Sequence, residues 1–292
     1  MLNNKNIERV VILGHTGFIG KHLENFFNNK YPEVIGKSLP DFDLTKDSDS
    51  LKDIFDMKTA VIMCSAIKKD YGDNIDNFSK NVSMVVNVCK ILETNPVKSF
   101  VYFSSAAVYG EDIHNLQISE KTAINPTSYY GMVKYVSERL LWKVSKNNLI
   151  IIRPPVIYGP GDQPCYGPSG FVKAALNNET VTLWGDGTEK REFIFIDDVV
   201  QLIDKLILNN YNGVLNLASG KSFTFKEIID MMSSLTNSKI EVNSRERTKN
   251  KVDNEFDNSA LLKIFPEFTF TPLKDGIKDT IESLKSRKNA EA

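Results

Sequence analysis

In SYYGMVK, residues 128–134, two tyrosines stand ahead of one lysine, and helix geometry separates their roles. Residues four apart share a helix face, whereas residues five apart are turned by about 140°. PTSYYGMVKYVSERL reads as a helix that starts after Pro126, with Thr127 or Ser128 as its cap. Tyr130 therefore shares a face with Lys134, and Tyr129 either lines a pocket or packs. A phenol titrates at about pH 10, too high for a base at neutral pH. A nearby ammonium favours the phenolate, so Tyr130 can take a proton from a hydroxyl or return one to a carbonyl oxygen. The plain alternative is an amphipathic helix with a half-buried tyrosine and a snorkelling lysine. Upstream, SFVYFSSAAVYG ends an apolar run at Ser104 and Ser105, and a serine hydroxyl there would orient the same oxygen.

A second constellation lies near the start. RVVILGHTGFIG places Gly14, Gly17 and Gly20 directly after an apolar run. One glycine permits a tight turn, another lets a pyrophosphate approach the backbone, and the third lets helix and sheet pack closely. Exposed N–H groups and the helix dipole then hold the anion. This is the turn of a dinucleotide site, and Lys134 could then donate to a nicotinamide ribose. The residue that reads the adenosine ribose belongs at the end of the second strand, where VIGKSLPDFDL carries Gly36 or Lys37 and no acid. Lys37 and Ser38 suit a 2′-phosphate, which favours NADP over NAD; Lys37 reads equally well as a solvated lysine. Asp43 is a candidate for the adenine edge.

These groups need a frame. RVVILG, EVIGK, TAVIMCSA, SFVYFSS and NLIIIRPP read as strands, each separated from the next by helix-like sequence. That order predicts an α/β fold, a Rossmann-type doubly wound parallel sheet covered on both faces. RPPVIYGPGDQPCYGPSG then puts five prolines and four glycines into eighteen residues, too many for long regular structure. A smaller, mixed α/β lobe follows, with a helix near 171–177, strands in TVTLWG and GVLNLAS, a strand feeding a helix in REFIFIDDVVQLIDKLI, and a helix in TFKEIIDMMSSL. The expected division is residues 1–157 for the dinucleotide lobe and 158–292 for the second lobe, with the chain returning to the first around 192–218.

Bulk properties exclude several classes. The chain has 292 residues with a net charge of −1, which argues against nucleic acid or an anionic membrane as partner. Cys64, Cys89 and Cys165 match no metal pattern and no disulfide framework, so no metal is expected and a reducing cytoplasm fits best. The apolar run at the N-terminus is too short for a signal peptide, and no window suits a membrane span.

GHTGFIG, FSSAAVYG, YGMVK, RPPVIYGPGD and WGDGTEKREFIFIDDV occur in this order across nearly the whole chain. Together they resemble the extended short-chain dehydrogenase/reductases, specifically the NAD-dependent epimerase/dehydratase family acting on nucleotide sugars. The resemblance implies Tyr130 as acid/base, Lys134 as its partner and Ser105, rather than Ser104, as the third member. It implies cofactor contacts from Gly14, Gly17, Phe18, Ile19, Gly20, Asp43, Leu44, Ala66 and Asn81. It implies that Arg191 grips the diphosphate of the sugar nucleotide, for which a guanidinium fork is suited. Arg247 is similar to the family's second phosphate arginine, with Arg245 as a rival. Trp184 matches a residue that packs on the base, or else belongs to the core. The resemblance further implies a homodimer built on a four-helix bundle, from the helix near 81–92 and the helix carrying Tyr130, and a setting in polysaccharide synthesis.

Departures from the family pattern narrow the reaction. Ala106 and Ala107 stand where the dehydratases carry an acid pair, and neither can move a proton. The loop GDQPCYGPSG holds Cys165 but no histidine, which disfavours 3,5-epimerisation. Val156 replaces an asparagine that touches substrate phosphate. Hydride chemistry remains, expected at carbon 4, as epimerisation or as one-way 4-ketosugar reduction or 4-hydroxyl oxidation. Non-catalytic nucleotide sensors of this fold are a further class, and they typically lack the Tyr-Lys pair.

Overall fold

The computed structural model describes residues 7–46, 48–163, 167–248 and 250–291. The chain forms two compact units. The first comprises 1–111, 123–154 and 200–215, and the second 112–122, 155–199 and 216–292. In chain order the elements are β1 (Arg9–Leu13), α1 (Phe18–Phe27), β2 (Glu33–Lys37), β3 (Thr59–Met63), α2 (Ile75–Thr94), β4 (Ser99–Phe103), β5 (Asn115–Ile118), α3 (Tyr129–Ser145) and β6 (Leu149–Arg153). There follow β7 (Val156–Tyr158), α4 (Gly167–Asn177), β8 (Val181–Trp184), β9 (Lys190–Phe195), α5 (Ile196–Leu208), β10 (Gly213–Asn216), β11 (Ser222–Thr224), α6 (Phe225–Thr236), β12 (Val242–Arg245), β13 (Asn254–Phe256), α7 (Ser259–Ile264) and α8 (Leu273–Glu291).

The first unit is built on a six-stranded sheet in the order β10-β6-β4-β3-β1-β2. The neighbours from β6 through β2 pair in parallel. Interior strands are largely apolar runs because both faces are covered: β3, β4 and β6 are buried at every residue. Met84, Val85, Val88, Ile91 and Leu92 of α2 join Val11, Val61, Phe100 and Ile151 in one core. From β1 the chain steps outward to β2, then returns to β3 on the other side of β1. That reversal opens a crevice at the carboxyl ends of β1 and β3, where sheets of this class bind ligands.

The second unit holds the sheet β11-β9-β7 and the pairs β12-β8 and β13-β5. GVLNLAS, named with the second-lobe elements but inside the stretch expected to return to the first lobe, supplies β10 of the main sheet. β5 was not anticipated; it pairs in parallel with β13 inside the second unit. Cys165 lies outside the described residues. Among those described, no helix is long and apolar enough to cross a membrane.

Candidate active site

The glycine turn has the shape its residues demand. Gly14 sits at φ +101°, and a Cβ there would lie 2.8 Å from the Ser65 nitrogen. A Cβ on Gly20 would lie 2.2 Å from the Gly14 carbonyl oxygen, so both positions need glycine. Gly17 is the N-cap of α1, with no side-chain cap and no acid in the first turn. The first N–H groups of α1 are thus left for an anion, which fits a dinucleotide pyrophosphate. Phe18 and Ile19 open the helix, both half-buried.

At the end of β2, the Ser38 hydroxyl pairs with His15 Nδ1 at 2.9 Å and accepts the Thr16 N–H at 3.3 Å. A Cβ on Gly36 would meet the His15 ring at 2.3 Å, so this glycine makes room for the imidazole. The Lys37 ammonium lies 5.7 Å from the centre of the Phe42 ring. Asp43 turns its carboxylate to the Thr45 N–H and hydroxyl, at 3.0 and 2.7 Å, and these bonds hold it below the usual carboxylate range. Leu44 is buried in the core. Asn81 is buried and spends both ends of its amide on the Ile67 backbone, at 2.8 and 3.1 Å. It therefore shapes the segment after β3 that carries Ala66.

At the carboxyl end of β4, which runs parallel to β3 on the same edge of the sheet as the glycine turn, the two closing serines divide by direction. Ser104 points inward and donates to the Glu138 carboxylate. Ser105 is half-buried and caps a 3₁₀ turn, its hydroxyl accepting the Ala107 N–H at 3.1 Å. Of the two candidate caps for α3, Ser128 serves, accepting the Gly131 N–H at 3.1 Å. The Tyr130 N–H is taken by Asp73 at 3.0 Å. Lys134 is only 4% exposed, its ammonium 2.6 Å from the Phe103 carbonyl and 5.5 Å from the centre of the Tyr130 ring. Burial pushes this lysine down to about 8, against the neighbouring Cys64 and Glu138, which favour the charged form. Tyr129 is 41% exposed and packs its ring edge-on against Phe78 of α2.

In the second unit, Arg191 and Arg247 converge on a residue the sequence reading passed over. Glu189 accepts Arg191 Nη2 with one oxygen and Arg247 Nη1 with the other. Arg191 Nη1 also donates to the Lys190 and Val252 carbonyls. Arg247 Nη2 is buried without a hydrogen-bond partner. Trp184 is 48% exposed and so is not a core residue; the Arg245 guanidinium lies 4.9 Å from its ring.

The model of the NAD dependent epimerase/dehydratase family matches residues 10–218. The Uncharacterized UDP-glucose epimerase YtcB of Bacillus subtilis (strain 168) is 23% identical over 312 residues, covering 95% of this chain and 98% of that protein. Among solved structures, UDP-N-acetylglucosamine 4-epimerase from Methanobrevibacter ruminantium M1, in complex with UDP-N-acetylmuramic acid, superposes with a TM-score of 0.85 at 23% identity, covering 97% of this chain and 99% of that one. UDP-glucuronic acid 4-epimerase from Bacillus cereus, in complex with UDP-glucuronic acid and NAD, gives 0.83 at 21% identity, covering 96% and 99%. At these identities the structural likeness speaks to the fold.

Proposed function

The chain belongs to the NAD dependent epimerase/dehydratase family, and from that premise we propose that it transfers hydride at carbon 4 of a nucleotide sugar. The observation that carries this reading is the Lys134 ammonium, buried beside the Tyr130 ring and held by the Phe103 carbonyl, two residues before Ser105. A nicotinamide dinucleotide at the glycine turn would supply the hydride acceptor and donor. Tyr130 takes the proton of the sugar hydroxyl as the carbon is oxidised and returns it as the carbonyl is reduced. Lys134 favours the phenolate form of that tyrosine, and Ser105 orients the same oxygen. Reduction from the opposite face of a turned 4-keto sugar gives epimerisation with no net redox change. One-way reduction or oxidation at carbon 4 would use the same three residues. Ala106 and Ala107 provide no proton carrier for dehydration.

Arg191 and Arg247 would hold the diphosphate, and the indole of Trp184 offers an exposed face to a base. The carboxylate-free end of β2, with Lys37 and Ser38, supports NADP as the cofactor, although the Bacillus cereus structure holds NAD. Tyr129, Met132 and Val136 form an exposed stripe at helical spacing on α3, and Ile75 is exposed on α2. This stripe supports a homodimer through these two helices.

The test is single turnover with a panel of UDP sugars and other nucleotide sugars, following nicotinamide absorbance and the configuration of the product. A transient absorbance change with an inverted carbon 4 is expected. A lasting change with a single oxidised or reduced product would mean a one-way enzyme. Tight cofactor binding without redox change for any sugar would overturn the reading in favour of a sensor.

A further inference from the structure

A buried ion pair adjoins the proposed catalytic set, and the reaction as drawn does not use it. Glu138 is 3% exposed and Arg153 5%. The Glu138 carboxylate accepts Arg153 Nε at 2.9 Å and Nη2 at 2.6 Å, and also takes the Ser104 hydroxyl. Arg153 Nη1 donates to the Tyr109 hydroxyl at 2.9 Å. Burial alone would lower the Arg153 pKa, but the hydrogen bond and charge of Glu138 outweigh it and raise the value. Taking both charges out of water costs about as much as their attraction returns, so such a pair is weak evidence for a stabilising role.

Its position suggests another role. Glu138 lies one helical turn beyond Lys134 on α3, and Ser104 immediately precedes Ser105. Beside them the Ala106 N–H donates to the Pro154 carbonyl at 2.9 Å, tying the same turn to the end of β6. The groups facing Lys134 are Cys64 from the end of β3, Tyr102 of β4, and Tyr130 and Glu138 of α3. Burial pushes the Cys64 thiol up to about 12, and it raises the Tyr102 phenol as well. Both therefore stay neutral near neutral pH, which leaves the Glu138 carboxylate as the countercharge in that set, with Arg153 behind it.

We infer that Glu138 and Arg153 are positioning residues: Glu138 holds the Ser104 end of β4 and balances the Lys134 ammonium, while Arg153 orients Glu138 and limits its field. The inference rests on the proposed function, in which the Lys134 ammonium is the active form. Without Glu138, Lys134 faces an unopposed guanidinium and loses its proton at lower pH. Without Arg153, it faces an unopposed carboxylate and keeps its proton to higher pH.

The test is the pH profile of kcat for Glu138→Gln, Arg153→Met and the double variant, on the full chain. The alkaline limb is expected to fall by about one pH unit in the first and rise by about one in the second. In the double variant it should lie within about 0.3 of wild type, because no lone charge remains. A purely structural pair would lower stability in both single variants and leave the limb of the folded enzyme in place. No movement, or movement of both in one direction, overturns the inference. If either single variant does not fold, the double variant decides. Its kcat should drop about tenfold or more, with the KM for the sugar nucleotide unchanged. A folded double variant with wild-type kcat overturns the inference. Tyr130→Phe is run alongside: if it retains turnover, the proposed function itself fails, whatever the pair does.

Discussion

Replacing Lys134 with methionine should abolish turnover and yet leave the protein at least as stable near neutral pH. Burial holds this lysine at about 8, below its ordinary 10.5. Between those values the unfolded chain binds a proton that the native chain lacks, so this group's contribution to stability rises with pH through that window. That gap corresponds to about 3 kcal/mol, and at about pH 7 nearly all of it weighs against the folded state. Methionine removes that cost but leaves the Phe103 carbonyl without its donor, a loss of about 1–3 kcal/mol. The variant should therefore be more stable than wild type by about 1 kcal/mol at about pH 7. By about pH 10 the wild-type lysine is neutral in the fold and has recovered most of that cost, so the order reverses. Urea unfolding of both proteins at the two pH values measures the difference directly, with the other titrating groups common to both. A variant less stable by more than about 1 kcal/mol at about pH 7, or a gap that ignores pH, would refute the reasoning.

The remaining expectations are simpler. Tyr130→Phe should lower kcat by a factor of about 100 or more with cofactor affinity nearly intact, and Tyr129→Phe by less than about threefold; the reverse ranking would break the helix-face argument. Arg191→Ala should raise the KM for the sugar nucleotide about tenfold or more, and an unchanged KM would remove its phosphate role. Lys37→Ala should weaken NADP binding about tenfold while sparing NAD; calorimetry showing equal affinities before and after the change would retire the 2′-phosphate reading. Met132→Glu puts a carboxylate on the exposed stripe of α3 and should turn a dimer into monomers in sedimentation. Wild-type protein already monomeric at micromolar concentration would show that the stripe has another use.

Much of the frame was legible because its signals are local. RVVIL, TAVIM, SFVYF and LIIIR are apolar runs buried on both faces, and that needs no knowledge of neighbours. The short strands escaped notice. β5 is NLQI, with two of its four residues exposed, and β13 has only three residues. Neither carries a pattern until the other is beside it. β10 falls within the stretch expected to return to the first lobe, but its own residues do not say where it pairs, and only its place beside β6 puts it at the edge of the main sheet.

The site divides in the same way. Tyr130 and Lys134 were paired by the pitch of one helix, and the glycine turn by the backbone freedom of its own residues. Sequence order alone therefore determined which tyrosine faces the lysine and where a tight glycine turn opens the first helix. What surrounds them had to wait for the fold. Ser104 and Ser105 are alike as a dipeptide; Ser104 is set apart by Glu138, 34 residues later. Glu189 meets Arg247 across 58 residues, and in the sequence it is one acid among many. Local geometry is written in spacing, whereas the charge that a buried group feels depends on which distant elements pack around it, and only the tertiary structure decides that.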